Sequence, residues 1–197
     1  MSTTMARINR CLALVQTPGD NALPELVAAL DDPEWRVRLA AIVALGDLRD
    51  PGARNGLHLV LEAESAAPIY KQPHELASIG ASQATAARPV FPDDATVEQK
   101  AAWERRGRLK QAACLSLGAL GIVDDRIIAT LGACATSMEE DGPVRSAAAQ
   151  ALGLLGSPDA LPYLERAAQD DNWCPRTEAL KATARILARE RFHSPLP

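Results

Sequence analysis

The chain is poor in the residues that build strands. Its 197 residues include two Phe, two Tyr and three Trp, and Val and Ile together number only 17. Aromatic and β-branched side chains are what a half-buried pleated surface requires, so an all-β fold is excluded. Long apolar runs are missing as well: none approaches the ~18 residues of a membrane span, and Cys11 to Val15 is too short for the apolar core of a signal peptide. The four cysteines, Cys11, Cys114, Cys134 and Cys174, contain no Cys-x-x-Cys pair. That spacing does not fit a zinc site or a disulfide framework. They read as reduced thiols acting as small apolar residues, which predicts a cytoplasmic protein. A basic surplus is also absent. The net charge of −4 argues against a dedicated nucleic-acid binder, and no membrane partner is expected.

What is abundant is Ala, with 37 residues, and Leu, with 25. Both favour helix. The charged fraction of 23% and apolar fraction of 47% are those of a globular chain, so wholesale disorder is excluded. At about 150 residues per domain, residues 1–197 read as one domain.

An internal repeat organises the helices. Arg38 to Leu48, Lys110 to Leu120 and Arg145 to Leu155 share a basic residue, then Ala-Ala, then Leu-Gly, then Leu, at constant offsets. Gly118 and Gly153 lie 35 residues apart, whereas Gly46 and Gly118 lie 72 apart, so one repeat carries an insertion. A second comparison agrees: Ala22, Leu23, Pro24, Leu26, Asp32, Trp35 and Arg38 recur 138 residues later as Ala160, Leu161, Pro162, Leu164, Asp170, Trp173 and Arg176. Ala184 replaces the glycine in the last unit, as a capping repeat would.

Each unit reads as two helices. The second is Ala-rich, with one buried stripe such as Val37, Ala41, Ala44, Leu45 and Leu48. The spacing predicts a leading helix over 4–16. Helix pairs follow at 21–31 with 34–48, 52–64 with 98–120, 123–138 with 143–155, and 159–169 with 174–191. Pro24 and Pro162 should kink the first helices. Trp35 and Trp173 match across repeats and read as packing residues, whereas Trp103 falls off the pattern.

This pattern resembles HEAT repeats, most nearly the short bacterial type also found in phycobilin lyase subunits. The resemblance implies an all-α, HEAT-like solenoid of about four helix pairs plus an N-terminal helix, short and right-handed, with a curved face free to bind. It also implies a ladder between units, made by acidic and basic residues six apart. Asp32/Arg38, Glu104/Lys110, Glu139/Arg145 and Asp170/Arg176 have that spacing. A charge entering a packed helix interface needs a partner, so these residues are expected to be structural.

Residues 65–97 form the insertion, between the two helices of the second repeat. It holds four of the fourteen prolines, together with Ile69, Tyr70, Val90 and Phe91. A loop this long is usually functional or disordered. The densest basic run, Lys100, Arg105, Arg106, Arg108 and Lys110, begins just after it and includes Trp103.

No arrangement of catalytic residues stands out. His58, His74 and His193 are the only histidines, and no metal-binding spacing joins them. HEAT-like deoxyhypusine hydroxylases hold a di-iron centre through several His-Glu dyads on helices. His74-Glu75 is one dyad, in the insertion, and cannot supply that coordination. Neither a metal nor a cofactor is expected. The reading is a non-enzymatic protein-binding adaptor or scaffold, its partner another protein or a subunit of a complex. The partner would lie on the second-helix face beside residues 65–97, with contacts from Tyr70, Phe91, Trp103, Arg105, Arg106 and Arg108. The phycobilin resemblance implies an alternative, a lyase-like or chaperone subunit for a bilin or other tetrapyrrole. A third is nucleic-acid binding through residues 100–110, as on the basic concave face of HEAT-like alkylpurine DNA glycosylases.

Overall fold

Helices form where the apolar spacing places them, and Pro, Gly and Asx or Ser/Thr residues end them. A computed structural model describes residues 3–63 and 94–193. These contain nine α-helices: α1 (Thr4–Gln16), α2 (Ala22–Ala28), α3 (Trp35–Leu48), α4 (Arg54–Ala63), α5 (Val97–Leu120), α6 (Asp125–Thr136), α7 (Gly142–Leu155), α8 (Leu161–Ala167) and α9 (Trp173–His193). Short 3₁₀ turns follow α2 and lead into α4 and α8. No strand occurs among the described residues.

The boundaries have local causes. Thr96 and Gln99 form a reciprocal capping box at the start of α5. Asp124 accepts from the backbone N–H groups of Arg126 and Ile127 at the start of α6. Gly121 and Gly156 close α5 and α7 in the left-handed region, at φ 69° and 74°. Pro24 and Pro162, expected to kink their helices, stand in the first turns of α2 and α8. Pro24 is the third residue of α2 and Pro162 the second of α8. In a first turn the missing N–H has no intrahelical partner to lose.

The helices pack in two layers. In one, α1, α3, α5, α7 and α9 each pack against the next; in the other, α4 meets α6 and α6 meets α8. The pairs α2–α3, α4–α5, α6–α7 and α8–α9 join the layers. A continuous core of Leu, Ile and Ala lies between them, including Leu26, Leu45, Leu57, Leu117, Leu131, Leu152 and Leu164.

The repeated Leu-Gly acquires its reason here. A Cβ on Gly46 would lie 2.9 Å from the Ser116 Cα, one on Gly118 2.8 Å from the Ala151 Cα, and one on Gly153 2.8 Å from the Ala182 Cα. Each unit's glycine therefore lets the next second helix approach at backbone distance, and the residue it meets is always Ser or Ala. Ser116 also donates its hydroxyl to the Ile42 carbonyl at 2.9 Å. Ala184, on the last described helix, is exposed.

The ladder differs from its expected register. Arg38 and Arg176 donate to the backbone carbonyls of Asp32 (3.1 Å) and Asp170 (2.8 Å), not to their carboxylates. Each carboxylate instead pairs with the basic residue one unit earlier. Arg7 reaches Asp32 at 2.9 Å, and Arg145 holds Asp170 through two bonds of 2.6 and 3.1 Å. Lys110 pairs with Glu140, whose carbonyl also accepts from Arg145. Glu104 and Glu139, expected in the ladder, are both exposed. Residue 104 lies inside α5 because that helix begins seven residues earlier, at Val97. Before α7 the connection places the acid five residues ahead of Arg145 rather than six, so Glu140 is buried in place of Glu139.

Candidate functional site

The outer surface of the second-helix layer carries a groove of about 740 Å³ along the seam between α3 and α5. Its apolar floor comes from Leu39 and Val43 of α3 and from Ala112 and Leu115 of α5. At one end it reaches Asp47 and Ala119; at the other it reaches Glu104, Gly107, Arg108 and, at the start of α7, Asp141 and Pro143. The helical period explains the placement. Residues 39, 43 and 47 recur every four along α3, as do 104, 108, 112 and 116 along α5, so each set follows one face.

Val43 is 42% exposed, although it sits in the middle of an Ala- and Leu-rich helix. Gly107 leaves the acidic end open, since a Cβ there would lie 3.7 Å from Asp141 Oδ2. Asp47, Glu104 and Arg108 are exposed and enter no ion pair with a described residue. Burial raises the Asp141 pKa above its ordinary value, against the opposing pull of the Gly142 N–H, Arg145 and Arg106. Asp141 precedes α7 without capping it through its side chain.

Among the described residues, the expected contacts differ in exposure. Trp103 is only 4% exposed and Arg106 7%, with Arg106 3.9 Å from Glu140. Both are buried on the face of α5 that also carries Lys110 and Ala113. Arg105 pairs with Glu98 on its own helix. Arg108 alone of the basic run lines the groove. Tyr70 and Phe91 lie outside the described residues. Of the other two tryptophans, both expected to pack, only Trp173 departs from that part. Trp35 is half-buried, with the Arg36 guanidinium 5.1 Å from its ring centre, and Trp173 is 52% exposed. Trp173 lies on the side of α9 turned away from α7, together with Leu180 and Leu187.

Most of the remaining chemistry-bearing groups are buried. His58 is buried, its Nε2 2.9 Å from the Thr130 hydroxyl, and so ties α4 to α6. Cys11, Cys114 and Cys134 are buried, and Cys174 is exposed. No group of three or more His, Cys, Asp or Glu side chains could hold a metal ion among the described residues. No described helix is long and apolar enough to cross a membrane.

A family model of HEAT repeats matches residues 4–69 and 97–184. The chain belongs to the HEAT-repeat family. The matched segments flank most of the insertion, and the helix pairs and inter-unit glycines described above are the repeats themselves. Among solved structures, human deoxyhypusine hydroxylase in complex with glycerol is similar at 18% identity over 95% of this chain and 81% of that one, with a TM-score of 0.40. No curated protein matches the chain.

Proposed function

We propose that this HEAT-repeat chain is a protein-binding adaptor that receives its partner in the α3–α5 groove. The observation that carries the reading is the groove itself, with an apolar floor that includes the exposed Val43 and a charged rim on which Asp47, Glu104 and Arg108 enter no ion pair with a described residue. Apolar floors rimmed by polar groups suit macromolecular contacts. Solenoids favour this use, because each unit is held by its neighbours and one face of the stack stays free.

The test is affinity purification of the full chain from its native cells beside the variant Val43→Asp. Val43 is exposed, so the variant should fold and melt like the parent. A stoichiometric protein recovered with the parent and lost with Val43→Asp is the expected result. Equal recovery by both would show that the groove does not bind it.

A further inference from the structure

We infer that the occupant of the α3–α5 groove is a basic segment of a partner protein, with apolar side chains set between its lysines or arginines. This rests on the adaptor reading above and adds the chemistry of the partner.

Charge is the first argument. Asp47 lies at one end of the groove, and Glu104 and Asp141 at the other, against the single guanidinium of Arg108. Along the ladder between units the carboxylates are ion-paired: Asp32 with Arg7, Asp170 with Arg145, Glu140 with Lys110. At the groove the exposed carboxylates are arranged differently. Asp47 and Glu104 have no cationic partner among the described residues. Asp141 is set close to Gly107, where a side chain would otherwise fill the space in front of it. Carboxylates at both ends of an apolar trough present complementary potential to a chain with cations on either side of an apolar core.

Shape is the second argument. The floor between the acidic ends is apolar, formed by Leu39, Val43 and Leu115 among others. A fully polar polyanion or polycation would leave it wet. An acidic segment would meet three carboxylates. A segment with Leu, Ile or Val at its centre and Lys or Arg towards its ends satisfies both the floor and the rim.

The experiment is selection of random 16-residue peptides displayed on phage against the full chain. Synthetic copies are then titrated by fluorescence anisotropy. The second protein in the titration is the variant Asp47→Lys/Glu104→Lys, whose two positions are exposed and make no ion pair with a described residue, so its melting should match the parent. Glu165→Lys/Glu190→Lys, at exposed positions of α8 and α9, controls for net charge. The expected peptides are net positive with a central apolar pair. They lose at least tenfold in affinity on the groove variant and little on the control, and binding weakens with salt.

Selected peptides that are neutral or acidic, yet blocked by Val43→Asp, would overturn the basic-segment inference and leave the adaptor reading standing. Peptides indifferent to every groove substitution would overturn the inference, and the purification with Val43→Asp would then decide the adaptor reading separately. A photo-crosslinking residue at Val43, irradiated in the chain alone, tests the other occupants. A covalent dimer, or an internal cross-link to residues 64–93, would show that a second copy or the chain itself fills the groove, and would equally overturn the inference.

Discussion

Gly107 and Gly118 lie on the same helix and answer to opposite constraints. At Gly118 a Cβ would press to 2.8 Å from the Ala151 Cα; at Gly107 the nearest atom is 3.7 Å away. Gly118→Ala should therefore destabilise the protein by about 1–3 kcal/mol through overpacking between α5 and α7. Gly107→Ala should stabilise it by about 0.5–1 kcal/mol, the usual gain for alanine over glycine inside a helix. Urea melts of the two variants check the pair, and the opposite signs are the discriminating feature. Asp141 provides a second test. Its pKa in the fold is raised above the ordinary 3.8, with burial the main cause. The fold thus favours the protonated acid. The stabilisation this brings is fully present below the ordinary value and is lost as pH rises through the folded one. Asp141→Asn removes the charge and keeps a residue suited to a helix start. It should raise the melting temperature at pH 7 by on the order of 1 °C, with the gap closing as pH falls towards 3.8. A lower melting temperature for Asp141→Asn at pH 7 would mean that the carboxylate stabilises the fold.

At the scale of elements, the ladder ties each unit to the next through buried ion pairs. Lys110 and Arg145 are almost wholly buried, and Arg145 spans Glu140 and Asp170. Arg145→Ala leaves Asp170 without its cation, so the expected cost is about 3–5 kcal/mol. Arg106→Ala should cost less, roughly 1–2 kcal/mol, because Glu140 keeps Lys110. Chemical denaturation of both variants decides this, and equal losses would contradict the assignment. Helix positions were largely legible in the sequence, because apolar periodicity and the Asp-Pro, Ser-Pro and Gly punctuation are local signals. The start of α5 at Val97 was within one residue of its reading. Ladder partners were not legible in the same way. Offset six marks residues of one unit, whereas the carboxylates bridge two, a three-dimensional relation that the repeat spacing does not encode. Glu140 escaped notice because the connection before α7 shifts the acid by one position. Trp103 looked available for contact because it falls off the repeat pattern; its place on one face of α5, three residues before Arg106 and seven before Lys110, was the signal of its burial.

At the scale of the whole molecule, the second-helix layer is the surface on which the function is proposed, and its groove lies along the seam between the first unit and the second, the unit that carries the insertion. Residue chemistry on that seam was only partly readable. Arg108 was picked out from the sequence, whereas Asp47, Val43, Leu115 and Asp141 converge only when α3, α5 and α7 are stacked. The first-helix layer offers a contrast, with Leu59 of α4 exposed at 58%. The most direct measurement places a photo-crosslinking residue at Val43 in one version of the full chain and at Leu59 in another, expresses both in the native cells, and identifies covalent adducts by mass spectrometry. The proposed function requires a partner protein joined through Val43 and not through Leu59. A partner joined through Leu59 alone would contradict it and move the binding surface to the first-helix layer.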